Sequence, residues 1–285
     1  GLQDARGLLF WEILRVAATV RPAALILENV PNLMKLQGGH VLHEVVSALC
    51  QCGYHVRVHL LNAAAVVPQE RVRLFLVGFR EDLADAAAIF RWPTFLGPRV
   101  QRLRDLLEPL DAQGLSKYQL DGPQWEALRS SESFCLHPRR RLARLDGAAR
   151  TVVGSHWRIL GGRVELVPMD SAIVESAAED EEQEQVAAPT APAKRAEAPQ
   201  ALGPPPRFYT EREAARLQGF PDDFLLGEGL TCSSRYRLIG NAVCPPLVQA
   251  VAEQVLAALA ARPPAGSFPP LGACAADLGD VRGCE

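Results

Sequence analysis

The 285 residues carry 48% apolar side chains, enough for a substantial core in one large or two ordinary domains. A net charge of -3 gives no global basic field, so any nucleic-acid surface has to be local. Seven cysteines without C-x-x-C pairing argue against a structural zinc site or a secreted disulfide framework and fit a reducing compartment; no apolar run reaches the roughly 18 residues of a membrane span.

Phe10, Ile13, Leu14 and Ala17 recur at helical spacing and predict a helix from Gly7 to about Thr19, ended by Arg21 and Pro22. The apolar run LIL then meets Glu28 and Asn29 directly. Such a run reads as a buried strand, and charge at its end is ordinarily solvated punctuation. In open α/β sheets, however, ligands bind beyond the carboxyl ends of strands, where a catalytic carboxylate would also stand. A second helix presents Leu42, Val45, Val46 and Leu49 on one face, with Gly53 as its stop. YHVRVHLLN alternates as a strand, and VRLFLVGF is apolar almost throughout. Ala63 to Arg71 leave too little chain for a crossover helix, so these two strands are expected to be antiparallel neighbours at one end of a mixed sheet. Gln69, Arg71 and Arg73 are spaced by two, which in a strand points them the same way. They form either a solvated edge or a grip on a phosphate or base carbonyl.

From Trp92 to about Asp170 periodicity weakens, predicting a smaller irregular domain. Within it, HPRRRLAR gathers Arg139, Arg140, Arg141 and Arg144 near His156 and Trp157, either as a solvated face or as a phosphate-binding patch. Residues 171–206, acidic and then Ala/Pro-rich, read as a disordered insert. Thr210 and Glu213 have capping-box spacing ahead of a short helix ending near Gly219, with Arg216 and Asp222 as turn or packing anchors. Gly240 without its neighbour RYRLI would read as a glycine turn that starts a helix. Pro245 and Pro246 then open a long helix on which Val248, Val251, Val255 and Leu259 share a face, before a Pro/Gly/Ala-rich tail from Pro263. His40, His43, His55 and His59 read as structural, and no metal-ligand set emerges.

LILENVPNL, PQERVRLFLVGF, YTEREAARLQGFPDDF and RYRLIGNAVCPPL, in this order, resemble successive motifs of the cytosine-5 DNA methyltransferase family, with a weaker echo at LDGAARTVVGSHW. The resemblance covers about residues 1–80 and 207–260. It implies an α/β protein: a partial Rossmann-like S-adenosylmethionine-dependent methyltransferase fold with a mixed sheet, plus a small irregular target-recognition domain. The catalytic portion would be 1–92, the recognition domain 93–170, the insert 171–206, a return to the catalytic domain 207–262 and a flexible tail 263–285.

In this family a cysteine thiolate adds to cytosine carbon 6, and carbon 5 then takes the methyl group of S-adenosylmethionine. By resemblance Glu28 places a proton near ring nitrogen 3. An ordinary Glu has a pKa near ~4.3, so its pocket would have to raise it. Asn29 would hold the loop. Arg73 would bind the base carbonyl with Arg71 in support, Asn241 and Ala242 would line the methyl-donor pocket, and Arg139, Arg140 and Arg141 would bind DNA. Ala242 stands where some members carry serine, which removes any hydroxyl contact there. The implied partner is DNA, with no membrane or metal, in the nucleus of a eukaryote or otherwise the cytoplasm and nucleoid.

Two family motifs are not found in these residues: the glycine loop that holds the cofactor, and the Pro-Cys loop that supplies the nucleophile. No Pro-Cys dipeptide occurs anywhere, and Cys244 precedes its proline. GLQDARGLLFWEILR resembles the segment after the catalytic loop, so the expectation is a chain that opens just downstream of its nucleophile and is inactive alone. It would need the remainder of its own protein or a complementing chain. Three other readings stand: a non-catalytic regulatory subunit, a nonspecific nucleic-acid module, and a tRNA cytosine-5 methyltransferase. SFCLHPRRR, in place of a Cys-Phe-Thr signature, speaks against the last.

Overall fold

The structure, a computed structural model, describes residues 8–95, 101–109, 111–131, 134, 141–155, 164–169 and 204–261. The expected insert up to residue 203 and the tail from Pro263 lie outside these residues, as do Arg139, Arg140, His156 and Trp157. The elements run α1 (Leu8–Val20), β1 (Ala24–Asn29), α2 (His40–Gln51), β2 (Tyr54–Asn62), β3 (Val72–Arg80), α3 (Ala84–Ile89), α4 (Ala112–Tyr118), α5 (Gly122–Arg129), α6 (Glu211–Leu217), α7 (Cys232–Asn241) and α8 (Pro245–Ala260), with short 3-10 turns between them. Contacts divide the chain into two units. One comprises 1–63, 72–96 and 246–285, the other 64–71 and 97–245.

The first unit is built on a three-stranded sheet of order β1-β3-β2 with both pairings antiparallel. The short span between β2 and β3 requires the second of these, as expected. Successive residues of a strand face opposite ways, which sorts the side chains into two layers. Val56, Val58, Leu60, Leu74 and Leu76 turn toward Leu14 and Ala17 of α1 and Leu42, Val45, Val46 and Leu49 of α2, with Leu25 and Leu27 packed against the same cluster. Gly53 closes α2 at a φ of +82°, a left-handed conformation that favours glycine. On the other face Phe79 meets Phe90, His59 stacks on Trp92 at 5.3 Å, and Arg57 donates to the Ala87 carbonyl at 3.4 Å.

The second unit holds α4, α5, α6 and α7 among irregular segments with isolated bridges, among them Gln69 with Ala149 and Leu142 with Leu166. Its main core sets Leu103, Ala143, Ala149, Val152 and Val167 against Tyr209, Ala214, Ala215, Leu217, Tyr236 and Ile239. The stretch 207–262, expected to return to the catalytic domain, divides at Pro246 by contacts. Residues 207–245 belong to the irregular unit, because Tyr209 and the inner face of α6 complete its apolar core, and only the chain from Pro246 belongs with the sheet.

The capping box at Thr210 and Glu213 forms as its spacing predicts. On α8 the buried residues are Leu247, Val251, Val255 and Ala258, so the face is turned slightly from the expected one and Val248 and Leu259 are half-buried. One 18-residue window within Cys232–Ala260 has a mean hydropathy that would suit a membrane span, but the stretch is two helices broken at Ala242. The longer, α8, has 16 residues, fewer than the roughly 20 that a bilayer requires.

Candidate catalytic site

The register pairs Glu28 of β1 with Phe75 of β3, and Arg73 lies two residues from Phe75. In an antiparallel pair opposite residues share a face, and a diagonal neighbour two residues away is within reach of a long side chain. Glu28 and Arg73 therefore lie on the face that also carries Phe75 and His59, away from α1 and α2. Arg73 Nε sits 3.0 Å from Glu28 Oε1, with the two side chains 13% and 22% exposed. Arg73 Nη1 also donates to its neighbour's carbonyl at Val72, 2.7 Å away. Burial pulls the Arg73 guanidinium down from its usual range, and the charge and hydrogen bond of Glu28 pull it back up. Asn29 Oδ1 accepts from the Val30 amide at 2.8 Å and pins the turn that follows the strand. The outcome is a paired acid and base, partly open to water, at the carboxyl end of β1.

Arg71 does not continue that face. The strand begins at Val72, and Arg71 lies in the second unit, 2% exposed. Its guanidinium donates to three backbone carbonyls: Val152 at 3.2 Å, Gly240 at 2.9 Å and Ala242 at 2.6 Å. Gln69, fully buried, donates to the Leu217 carbonyl and the Gln218 side chain and accepts from the Val152 amide at 3.0 Å. Gln218 in turn donates to the Ala242 carbonyl at 2.8 Å. The spacing of two that suggested one strand face thus serves two different tasks. Gln69 and Arg71, with Gln218, tie the backbone of 151–154 to the end of α7, and the sequence reading missed Gln218 because a glutamine just past a helix carries no periodic signal.

Gly240 and Asn241 close α7; they do not form a turn that starts a helix. A Cβ on Gly240 would fall 2.3 Å from the Gly154 amide nitrogen, so the close crossing of these two segments requires glycine. Asn241 is exposed and Ala242 half-buried on this fixed backbone. Arg141, expected on a DNA-binding surface, is 4% exposed and donates through Nε to the Val164 carbonyl at 3.1 Å. A buried guanidinium bound to the backbone cannot meet a phosphate, so the structure gives Arg141 a packing role. Arg216 forms a two-point ion pair with Asp222, at 2.6 and 3.0 Å, and donates to the Leu106 carbonyl.

A cleft of about 570 Å³ in the first unit is lined by Arg91, Trp92, Pro93, Thr94, Phe95 and α8 residues; none of the sequence-predicted site residues faces it. Among the described residues no three His, Cys, Asp or Glu side chains gather as a metal site.

Comparison with known proteins matches residues 1–257 to the family model described as C-5 cytosine-specific DNA methylase. The type II methyltransferase M.NlaX of Neisseria lactamica is 32% identical over 262 residues, covering 92% of this chain and 71% of that protein. M.SsoII of Shigella sonnei is 30% identical over 261 residues, 91% of this chain and 59% of its own length, so the chain spans well under the full length of these relatives. Two solved structures share the fold. They are the S. pombe Dnmt2 methyltransferase, at a TM-score of 0.61 and 20% identity over 91% of this chain and 75% of that one, and Entamoeba histolytica EhMeth, at 0.60 and 18% over 90% and 70%.

Proposed function

This chain belongs to the C-5 cytosine-specific DNA methylase family, and from that membership we propose that it serves methyl transfer from S-adenosylmethionine to carbon 5 of cytosine in DNA. The observation that carries the catalytic reading is the Glu28–Arg73 pair, an acid and a base 3.0 Å apart on one sheet face at a strand end.

Chemistry at cytosine carbon 5 requires the base to leave the duplex stack, at a cost of about a few kcal/mol, and to be held by its polar edge. Thiolate addition at carbon 6 then drives negative charge onto the ring, and a proton at ring nitrogen 3 offsets it. In this reading the entering base replaces the mutual contact of the pair. Glu28 holds a proton at ring nitrogen 3, and Arg73, whose planar fork suits an oxygen acceptor, binds the base carbonyl. Asn29 keeps the strand end fixed through the Val30 amide.

The residues present fit one edge of a site for the methyl donor. Arg71 and Gln218 fix the carbonyls of Gly240 and Ala242, and on that backbone Asn241 exposes an amide suited to a polar amino-acid group. Asn241 and Ala242 would line this edge, and S-adenosylmethionine, when bound, supplies the methyl group. Since the 285 residues hold no Pro-Cys dipeptide, the reading takes its thiolate from polypeptide outside them and expects no methyl transfer by the chain alone. The same absence is what favours the second reading, a non-catalytic DNA-binding subunit.

Methyl incorporation into cytosine-containing duplex DNA separates these readings. In an assembly that supplies the thiolate, Glu28→Gln should lower turnover about 100-fold, the scale of a lost general acid, while DNA affinity stays within about twofold. Unchanged turnover removes Glu28 from the chemistry. Incorporation by the 285-residue chain alone would overturn the external thiolate.

A further inference from the structure

The cleft of about 570 Å³ in the sheet unit takes no part in the catalytic reading, and its volume is that of a pocket for a small organic ligand. One wall is the segment that leaves α3, residues 91–95. The other is α8, where Ala250, Glu253 and Gln254 share a face at i, i+3 and i+4 that flanks the buried stripe of Leu247, Val251, Val255 and Ala258. Ala250 lies between the two polar side chains on this face, and its small size leaves room between the walls.

The first wall is aromatic and fixed. Trp92 stacks on His59 at 5.3 Å and meets Phe90 at 5.0 Å with the rings 79° apart, and the half-buried Phe95 extends the same lining. Rings held in this way suit a further aromatic plane. The polar groups around them have hydrogen-bonding capacity that the protein does not use. Arg91 directs Nη1 to the Ala88 and Phe90 carbonyls, both at 2.9 Å, which anchors the guanidinium and leaves Nε and Nη2 without an acceptor among the described residues. Glu253 Oε1 accepts from Gln249 at 2.9 Å, and Oε2 accepts from no described residue. The Thr94 hydroxyl and the Gln254 amide likewise have no partner among the described residues. Arg91 and Glu253 do not pair with each other, so a cationic wall faces an anionic one.

A ligand that satisfies this cleft needs an aromatic plane for the rings, an anionic group for Arg91 and Thr94, and N–H donors for Glu253. The geometry points to a guanine nucleotide, with its base against Trp92 and Phe95, its phosphate on Arg91 and Thr94, and its pairing edge on Glu253 and Gln254. A planar guanidinium fork matches phosphate oxygens. An ionised carboxylate only accepts, and guanine is the base that presents two adjacent N–H donors, from ring nitrogen 1 and the exocyclic amine. Its carbonyl oxygen then takes the Gln254 amide. Adenine would instead set a ring-nitrogen lone pair against the carboxylate. An aromatic amino acid carries a ring and both charges, but its charges sit on one carbon and do not reach opposite walls. The nucleotide is either free or part of a DNA strand, since both present the same base and phosphate.

Isothermal titration calorimetry of the 285-residue chain with guanosine 5′-monophosphate, adenosine 5′-monophosphate and free tyrosine tests this assignment. The guanine nucleotide should bind at a single site, about tenfold tighter than either competitor. Glu253→Gln should lower its affinity about tenfold and leave that of the adenine nucleotide within about twofold, whereas Arg91→Met should weaken both nucleotides about tenfold. Both side chains are exposed, so circular dichroism and unfolding midpoints of the variants should match the wild type. No binding of the guanine nucleotide, equal affinity for the two nucleotides, tyrosine binding as tight as either, or a guanine affinity indifferent to both variants would each overturn the proposal. Competition with a short single strand of guanine deoxynucleotides then separates the sources: displacement assigns the cleft to a nucleotide within a strand, and no displacement assigns it to a free one. None of these readouts needs methyl transfer, so the cleft and the catalytic reading stand or fall separately.

Discussion

Two arginines separated by one residue have opposite environments, and the difference can be measured. Arg71 is enclosed and fans its donors over the Val152, Gly240 and Ala242 carbonyls, whereas Arg73 lies on a partly open sheet face beside Glu28. Replacing Arg71 with Met removes the donors and leaves buried acceptors without them, a loss of about 3 kcal/mol. Lys at this position keeps the charge but cannot reach three acceptors with one ammonium, so it recovers little. Arg73→Met removes one half-open ion pair and should cost about 1 kcal/mol. Urea unfolding midpoints for the two variants decide the matter; equal losses would mean that Arg71 is not the tie that its geometry describes. The spacing alone gives both residues the same weight, and only the family resemblance ranks Arg73 first, because a spacing of two cannot reveal that the strand begins between them.

At the scale of elements, the N-terminus of α6 shows a local signal that became structure. Thr210 Oγ1 accepts from the Glu213 amide at 3.0 Å, and Glu213 Oε2 accepts from the Thr210 amide at 2.8 Å. The helix has only seven residues, too few to be stable alone, so its start depends on the cap and on burial. Thr210→Ala should lower stability by about 1.5 kcal/mol, and Thr210→Ser should restore most of it. A thermal scan that finds Ala and Ser equal would show that burial alone holds the helix. Other elements were legible for related reasons. The face Leu42, Val45, Val46, Leu49 and the glycine stop at Gly53 describe α2 because one apolar side rests on one sheet. The antiparallel β2-β3 pair follows from chain length. By contrast Gly240 closes a helix, and what demands glycine there is the approach of Gly154, a neighbour 86 residues away in sequence that no local pattern encodes.

Across the molecule the two units bury different chemistry. Among the described residues every buried polar or charged side chain lies in the second unit: Gln69, Arg71, Arg141, Glu165, Arg207, Thr210, Glu211, Glu213 and Gln218. The sheet unit keeps an apolar core, which is why hydrophobic periodicity reads it well. The second unit is joined by ion pairs and carbonyl contacts, such as the two-point bond of Arg207 to Glu213, which leave little periodic trace. Its stability should therefore depend on pH.

Glu165 is pushed above the ordinary carboxylate value of 4.5 by burial, against the opposing hydrogen bonds from the Tyr209 hydroxyl and the Arg150 amide. It holds its proton more tightly folded than unfolded, so its contribution is complete below 4.5 and is lost as pH rises through the folded value. Glu211 behaves oppositely. Burial pushes it up, but hydrogen bonds from Cys232 and Tyr118 and the charge of Lys117 hold it below 4.5, so its contribution is present above 4.5 and is lost as pH falls through the folded value. Glu165→Gln keeps a neutral hydrogen-bonding group and removes the alkaline loss. Its urea midpoint should match the wild type at acid pH and exceed it at neutral pH, with the acid limb set by Glu211 unchanged. Parallel curves for the two proteins from acid to neutral pH would show that the Glu165 carboxyl titrates alike in the folded and unfolded chain, and the polar core would then not govern the pH response.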